Sequence, residues 1–396
     1  MDFEIGHFYD VVDAPECQRL CQDTTECRYW SLHGDICLLY SECGTPESCS
    51  ACTSGPAFPD ITTCEQKQPL TVFHTLVLGG ETDLADYSIS VELVTPDLVC
   101  SPQMDPLPVG REQPQAAMLG SKIFYCGGFE HQQISKSCHS YDLDAEAGGW
   151  YEEGSMVFER RYFSLTAVGD QLFAVGGEGD YPLSSVEVLT QGEGWREEPK
   201  LDMGAAKHDL CSVALGSWLY IIGGLVEEAS GTKGYISNEV EAYDTSSTSA
   251  GSSWVSKANM IGQRSGHGCN SGLFLEEEGI FVAGGTSNFG DYLDTAEFYF
   301  AASDRWQTIG SLNVGRKYSP MTMVGSNVVL SGGRNPAFLT SVETWNGTSW
   351  SELNELKVGR KAHTPYTCLL YTSPSPRDVE ESGITGWGCK KKAGGG

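Results

Sequence analysis

Six times along the chain, a short apolar run stops on a pair of glycines. The runs are HTLVLGG, KIFYCGG, QLFAVGG, WLYIIGG, GIFVAGG and NVVLSGG. Their pairs are Gly79 and Gly80, Gly127 and Gly128, Gly176 and Gly177, Gly223 and Gly224, Gly284 and Gly285, and Gly332 and Gly333. The steps between pairs are 48, 49, 47, 61 and 48 residues. After each pair and a variable loop comes a second short run that carries an acid: Glu92, Glu187, Glu241, Glu297 and Glu343. The second repeat departs, with His139 in the acid's place. A tryptophan follows at a nearly fixed distance: Trp150, Trp195, Trp254, Trp306 and Trp350, with Cys100 in the first repeat. Before the next apolar run stands a loop with a base: Arg111, Arg160 and Arg161, Lys207, Arg264, Arg316 and Lys317, and Arg360 and Lys361.

The runs are short, rich in β-branched and aromatic residues, and bounded by Gly, Asp, Ser and Asn, which predicts four short strands per repeat. A lone four-stranded sheet cannot bury both faces. Radial stacking of such sheets lets each cover its neighbours, which is the logic of a propeller. The glycine pair gives the backbone freedom to leave a sheet and clears side chains from a crowded contact. The tryptophan offers a large apolar area to the space between sheets.

Six glycine pairs, five acids and five tryptophans in one order resemble kelch repeats over about residues 70–367. The resemblance implies a six-bladed β-propeller. It also implies a blade built from both ends of the repeat region, with residues 360–367 beginning the innermost strand of the first blade.

Eight of the 15 cysteines lie between Cys17 and Cys64. That density reads as a disulfide framework of an oxidising compartment. The CxxC of Cys49 and Cys52 admits zinc, but no second CxxC or histidine pair stands at finger spacing. Cys17 and Cys21 are one turn apart on a short polar helix; Cys27 and Trp30 open an extended run; Cys37 sits in an apolar strand, ICLLY. The spacing resembles the apple, or PAN, domain, which implies pairing of Cys17 with Cys37 and of Cys21 with Cys27. Cys43, Cys49, Cys52 and Cys64 carry no assignment. An apple domain ordinarily has one more cysteine nearer its start, so a missing N-terminal piece, with a signal peptide, is expected.

The expected fold is therefore mainly β: a six-bladed kelch propeller (70–367) after a small disulfide-rich α+β apple/PAN-like domain (1–64) and a polar linker (65–69). Residues 368–396 lack periodicity. CLLYTSPSPRD back-translates to a sequence resembling a transposon-end library adapter, so native sequence is expected to end near Thr367, with a disordered tail as the alternative.

The formal charge of -28, from 53 acids and 25 bases, argues against nucleic-acid and anionic-membrane partners. No apolar run is long enough to span a bilayer.

The glycine pairs do not continue into GxGxxG or GK[ST], so they read as structural punctuation and not as phosphate loops. The recurring bases have two readings. Arg111, Arg161, Lys207, Arg264, Arg316 and Arg360 form a cationic binding face at the channel mouth, or each base pairs with an acid of its own repeat, which their shared period favours. His208, His267 and His363 each follow a base and are candidates for a channel metal site, against the reading of plain repeat positions. The two-tyrosine, two-histidine copper set of galactose oxidase, a seven-bladed kelch-type enzyme, is not recognisable, so no catalytic residue, metal or cofactor is assigned. Asn346, in NGTS, is the only N-x-[ST] sequon and an exposed glycosylation candidate. Cys126 and Cys138 lie on adjacent strands of one blade and are expected to pair, with Cys100–Cys126 as the alternative. Cys211 and Cys269, on inner strands of neighbouring blades, are expected to staple them.

These readings together predict a secreted, non-enzymatic protein that binds a protein or glycan ligand. The alternatives are a galactose-oxidase-like metalloenzyme and an intracellular kelch adaptor of ubiquitin ligases.

Overall fold

A computed structural model describes residues 4–10, 29–33, 36–40, 72–82, 87–94, 99–100, 104–145, 148–227, 234–247 and 253–370. The chain divides into two units, with the boundary between Thr71 and Val72. In the first, Glu4–Asp10, Tyr29–His33 and Ile36–Tyr40 form an antiparallel sheet with the last strand in the middle. ICLLY is thus a strand, as its apolar pattern predicts. The expected helix at Cys17 and Cys21, and the pairings Cys17–Cys37 and Cys21–Cys27, lie outside the described residues and side chains.

The second unit contains six four-stranded antiparallel sheets among the described residues. Sheet two joins Gln115–Leu119, Lys122–Cys126, Cys138–Asp142 and Trp150–Glu153 in chain order. Sheet three joins Ser164–Val168, Gln171–Val175, Val186–Thr190 and Trp195–Glu197. Sheet four joins Cys211–Leu215, Trp218–Ile222, Val240–Asp244 and Val255–Lys257. Sheet five joins Gly268–Phe274, Glu277–Ala283, Ala296–Phe300 and Arg305–Ile309. Sheet six joins Met321–Val324, Asn327–Ser331, Val342–Trp345 and Trp350–Glu352.

Sheet one breaks chain order. Its first strand is Thr364–Leu370, followed by Val72–Leu78, Val91–Val94 and Val99–Cys100. The first strand stays in register with the second from Thr364↔Leu78 to Leu370↔Val72. Cys368, Leu369 and Leu370 therefore continue the strand past the expected end at Thr367. Strand length is set here by the partner: seven residues of Val72–Leu78 offer a ladder, and seven residues fill it.

The first strands contact one another in cyclic order, from sheet two through sheet six to sheet one and back to sheet two. The ring is closed. Apolar clusters fill all six seams. Phe281, Phe298, Phe300 and Trp345 pack between sheets five and six. Val175, Val188, Leu201 and Ile221 do so between three and four. Each fully buried phenylalanine contributes on the order of 2–3 kcal/mol of burial. The tryptophans add to the seam clusters as their period predicts, and some also hydrogen-bond: the indole Nε1 of Trp306 donates to Ala258 O (2.8 Å) and that of Trp254 to Leu201 O (3.0 Å). Each thereby bonds the linker that precedes its own sheet.

Candidate interaction surface at the channel mouth

The repeat bases do not form an open cationic face. Arg111, Arg160, Arg264, Arg316 and Arg360 are at most 1% exposed, and Lys207 is 4% exposed. Each meets an acid. The pairs are Arg160–Glu187 (2.9 Å), Lys207–Glu241 (2.7 Å), Arg264–Glu297 (2.6 Å), Arg316–Glu343 and Arg360–Glu92. In sheet two, where His139 replaces the acid, Arg111 reaches Glu130 instead (3.2 Å). The expectation of a binding ring at Arg111, Lys207, Arg264, Arg316 and Arg360 is thereby corrected. Burial is the reason: a guanidinium taken out of water keeps its charge only beside a carboxylate and carbonyls. Of the six residues assigned to that ring, Arg161 alone stays partly exposed, at 26% of its side chain, and pairs with Glu178 at 3.2 Å.

The clamp explains three sequence features at once. Arg160 donates to Gly176 O (2.6 Å), Ser185 O (3.0 Å) and Ser185 Oγ (2.9 Å), tying the glycine turn to the start of the third strand. Glu187 also accepts the Phe158 N–H (3.0 Å), as Glu297 accepts Gly262 N–H (3.0 Å) and Glu343 accepts Val314 N–H (3.2 Å). The glycine pair has φ of 59° and 96° at Gly176 and Gly177, and a Cβ on Gly176 would lie 2.4 Å from Lys207 O. Only glycine fits there. The N–H of Gly177 then donates to Lys207 O of sheet four (2.9 Å), and equivalent bonds cross the next three seams.

The second residue after each base lines the mouth. Gln113, Tyr162, Asp209, Tyr318 and Ala362 have φ of 50–56°, and Gly266 has 60°. Left-handed backbone at bulky tyrosines is uncommon and is held by its surroundings. A chain of bonds supplies them: Asp209 N–H to Tyr162 O (2.9 Å), Gly266 N–H to Asp209 O (2.8 Å), Tyr318 N–H to Gly266 O (2.7 Å) and Ala362 N–H to Tyr318 O (2.9 Å). The rings of Tyr162 and Tyr318, from opposite sheets, come within 6.3 Å. The Tyr318 hydroxyl donates to Asp209 at 3.4 Å. Burial, then Asp209, raises the Tyr318 pKa, so the phenol keeps its proton. Below the mouth lies a cavity of about 340 Å³ walled by small hydroxylic and apolar residues of the inner strands.

Outside that belt, the residue after each base pairs with the residue after each glycine pair. The six pairs are Lys361 with Glu81, Glu112 with Phe129, Arg161 with Glu178, His208 with Leu225, Ser265 with Thr286 and Lys317 with Arg334. Cations stack on aromatic rings here: Arg161 over Phe129 (5.5 Å), Lys361 over Phe338 (5.5 Å) and Lys317 over Tyr318 (5.1 Å). The loops beyond carry exposed aromatics. Tyr181 is 79% exposed, Phe289 89% and Tyr235 41%. Asn288 Oδ1 accepts the Ile236 N–H (2.8 Å), which fixes the Tyr235 loop to the Phe289 loop.

The three histidines occupy two different repeat positions. His208 is one residue after its base and bonds Asp209 and Glu227 at the rim (3.2 and 3.4 Å). His267 and His363 are three residues after theirs and are buried. His363 Nε2 bonds the Ser331 hydroxyl (2.7 Å), whereas both ring nitrogens of His267 lack a partner. Burial, then the adjacent Arg264, lowers His267 to about 3. Among the described residues, no three His, Cys, Asp or Glu side chains converge as metal ligands would.

Cys126 and Cys138 are directly opposed in sheet two, with Cα atoms 4.1 Å and sulfurs 2.12 Å apart. They occupy the register that Val175 and Val186 hold in sheet three. The sulfurs of Cys211 and Cys269 lie 2.00 Å apart across the seam between sheets four and five. Cys100 stands opposite Leu93, one position from the tryptophan's register, which Val99 holds opposite Val94; its side chain is outside the described set. Asn346 is exposed at the head of a hairpin, and its Oδ1 accepts Thr348 N–H (3.0 Å) and Ser349 N–H (3.1 Å).

No family model matches the chain. Among curated proteins it is similar to the kelch repeat and BTB domain-containing protein 2 of Ectromelia virus, 29% identical over 114 residues, 28% of this chain and 20% of that protein. It is 24% identical to kelch-like protein 25 of Xenopus tropicalis over 251 residues, 61% of this chain and 39% of that protein. It is 24% identical to alpha-scruin of Limulus polyphemus over 286 residues, 69% of this chain and 30% of that protein. The chain thus spans between a fifth and two fifths of these relatives' lengths. The first two are kelch proteins by name, in keeping with the repeat pattern and the closed ring of four-stranded sheets.

Proposed function

We propose that this chain is a six-bladed kelch propeller that binds a protein partner, without catalysis, through the face around its channel mouth. The observation that carries the reading is the arc of exposed aromatics, Tyr181, Tyr235 and Phe289, on successive loops of sheets three, four and five. Large exposed rings, two of them on loops joined by the Asn288–Ile236 bond, are how an interface anchors. The kelch names of the relatives support it. The test is a double variant, Tyr181→Ala with Phe289→Ala, compared with wild type by crosslinking in the native source. Partners held by wild type and lost in the variant are expected. An unchanged set overturns the reading.

The N-terminal unit is read as an apple/PAN-like domain that adds a second contact surface, for protein or glycan. The extracellular reading rests on cysteine density and on the two sulfur pairs at bonding distance. A second reading, an intracellular adaptor, is favoured by the BTB domain named in one relative. Thiol mapping of native, non-reduced protein separates them. Blocked Cys126, Cys138, Cys211 and Cys269 fit the first, and uniformly reactive thiols the second. Glycosylation of Asn346 belongs with the extracellular reading and is checked by glycosidase digestion.

A further inference from the structure

The rim pairs differ in charge. In sheets one and three a base faces an acid, Lys361 with Glu81 at 2.8 Å and Arg161 with Glu178 at 3.2 Å. In sheet six the acid's position is taken by a second base. Lys317 and Arg334 exchange both backbone bonds, 3.2 and 2.9 Å, so their side chains leave the ladder from directly opposed positions. Like charges directly opposite destabilise a sheet. Neither cation has a carboxylate within ion-pair distance among the described residues, in a chain of formal charge -28. Lys361, itself paired with Glu81 and with Glu112 (3.6 Å), lies beside them, its ammonium 5.6 Å from the Tyr318 ring centre that Lys317 approaches to 5.1 Å. Arg334 stacks on Phe338 (5.8 Å), which Lys361 also covers. Burial, and then the neighbouring Arg334 and Lys361, lower the Lys317 pKa against the pull of Asp209. The ammonium is thus held where its charge is costly.

We propose that Lys317 and Arg334, with Lys361 beside them, form a site for a tetrahedral oxyanion of the phosphate class at the mouth edge of sheet six. Two opposed cations with no carboxylate within ion-pair distance among the described residues leave positive charge to neutralise. A phosphate dianion neutralises both, and its oxygens accept from a planar guanidinium and an ammonium together. A single carboxylate would offset only one. The Arg334 Nε is occupied by Pro336 O (2.8 Å), which holds the guanidinium in place and leaves its terminal N–H groups for the ligand. The site stands apart from the exposed aromatics and does not depend on their role.

The decisive variant is Arg334→Glu, which installs the base–acid pair of sheets one and three. Thermal melts are run in chloride and in inorganic phosphate at matched ionic strength, with binding measured by calorimetry. Wild type is expected to melt higher in phosphate. Arg334→Glu is expected to melt higher than wild type in chloride and to bind phosphate at least about tenfold more weakly, the factor carried by one charge-assisted bond. Lys317→Gln tests the other cation and should weaken phosphate likewise. An equal phosphate effect on wild type and both variants would reveal general salting and overturn the site. So would a lower melting temperature of Arg334→Glu in chloride, because it would make Arg334 a stabilising residue. A phosphoserine tripeptide that binds more tightly than inorganic phosphate assigns the group to a partner's side chain. Equal binding assigns it to the free ion, and both outcomes retain the site.

Discussion

Sheets two and three perform the same closure with different parts. In sheet three, Arg160 and Glu187 are both fully buried and tie the glycine turn, the third strand and the incoming linker together. In sheet two, Arg111 keeps the first two ties, to Gly127 O and Ser137 O. His139 offers no carboxylate, and Arg111 turns to Glu130 at the rim. A sulfur pair stands where sheet three has Val175 and Val186. The comparison separates two roles. The base organises the glycine turn, and the acid fastens the linker. Sheet two lacks the second and has a crosslink between its second and third strands.

The largest effect should come from breaking sheet three. Glu187→Ala strands a buried guanidinium and is expected to cost about 3–5 kcal/mol in urea unfolding. Arg111→Ala should cost less, since its carboxylate partner lies at the rim and returns to water. Equal losses would erase the distinction between the sheets. Next, Cys126→Ala with Cys138→Ala is expected to cost about 2–4 kcal/mol, and reductant should lower the melting temperature of wild type by more than that of the variant, which keeps the Cys211–Cys269 pair.

A third expectation concerns pH. His267 is depressed to about 3 from an unfolded value near 6.5. Below about pH 6.5 the unfolded chain therefore binds a proton that the folded chain refuses, and stability falls by up to about 1.4 kcal/mol per pH unit. His363, depressed by burial and by Arg360, acts in the same direction. His267→Phe should flatten part of the acid limb of a melting-temperature profile, and an unchanged limb would refute the assignment. The smallest effect sharpens the comparison. His139→Glu gives sheet two the missing acid and should stabilise it by about 1 kcal/mol. A loss instead would mean that sheet two has no room for the clamp.

The repeats made much of the ring legible. Glycine pairs, acids and tryptophans recur because each serves one seam, and the half-strand after Trp350 announced the closing sheet. The bases were legible as a period and misread as a face. Periodicity reports that a residue is needed, not whether water reaches it, and burial follows only once Glu187 and its equivalents fold back on the loop. Lys317 was named as a repeat base, but its pairing with Arg334 was missed because 17 residues separate partners that only the ladder brings together. A sign was present: the residue after the glycine pair is Glu81 or Glu178 in two repeats and Arg334 in another. The histidines were grouped by closeness to a base, although His208 and His267 differ by two residues in register and hence in burial.

Sheet one carries a consequence in time. Its second strand, Val72–Leu78, receives its inner neighbour, Thr364–Leu370, only after nearly three hundred further residues have been made. At about 5–20 residues per second, the ribosome leaves that edge unpaired for tens of seconds. During that interval the other five sheets can assemble but cannot become a ring. An open edge of apolar residues is also what a misfolding chain pairs with. The last-made strand is therefore a latch, and the nascent protein is most exposed to chaperone and to error just before it shuts.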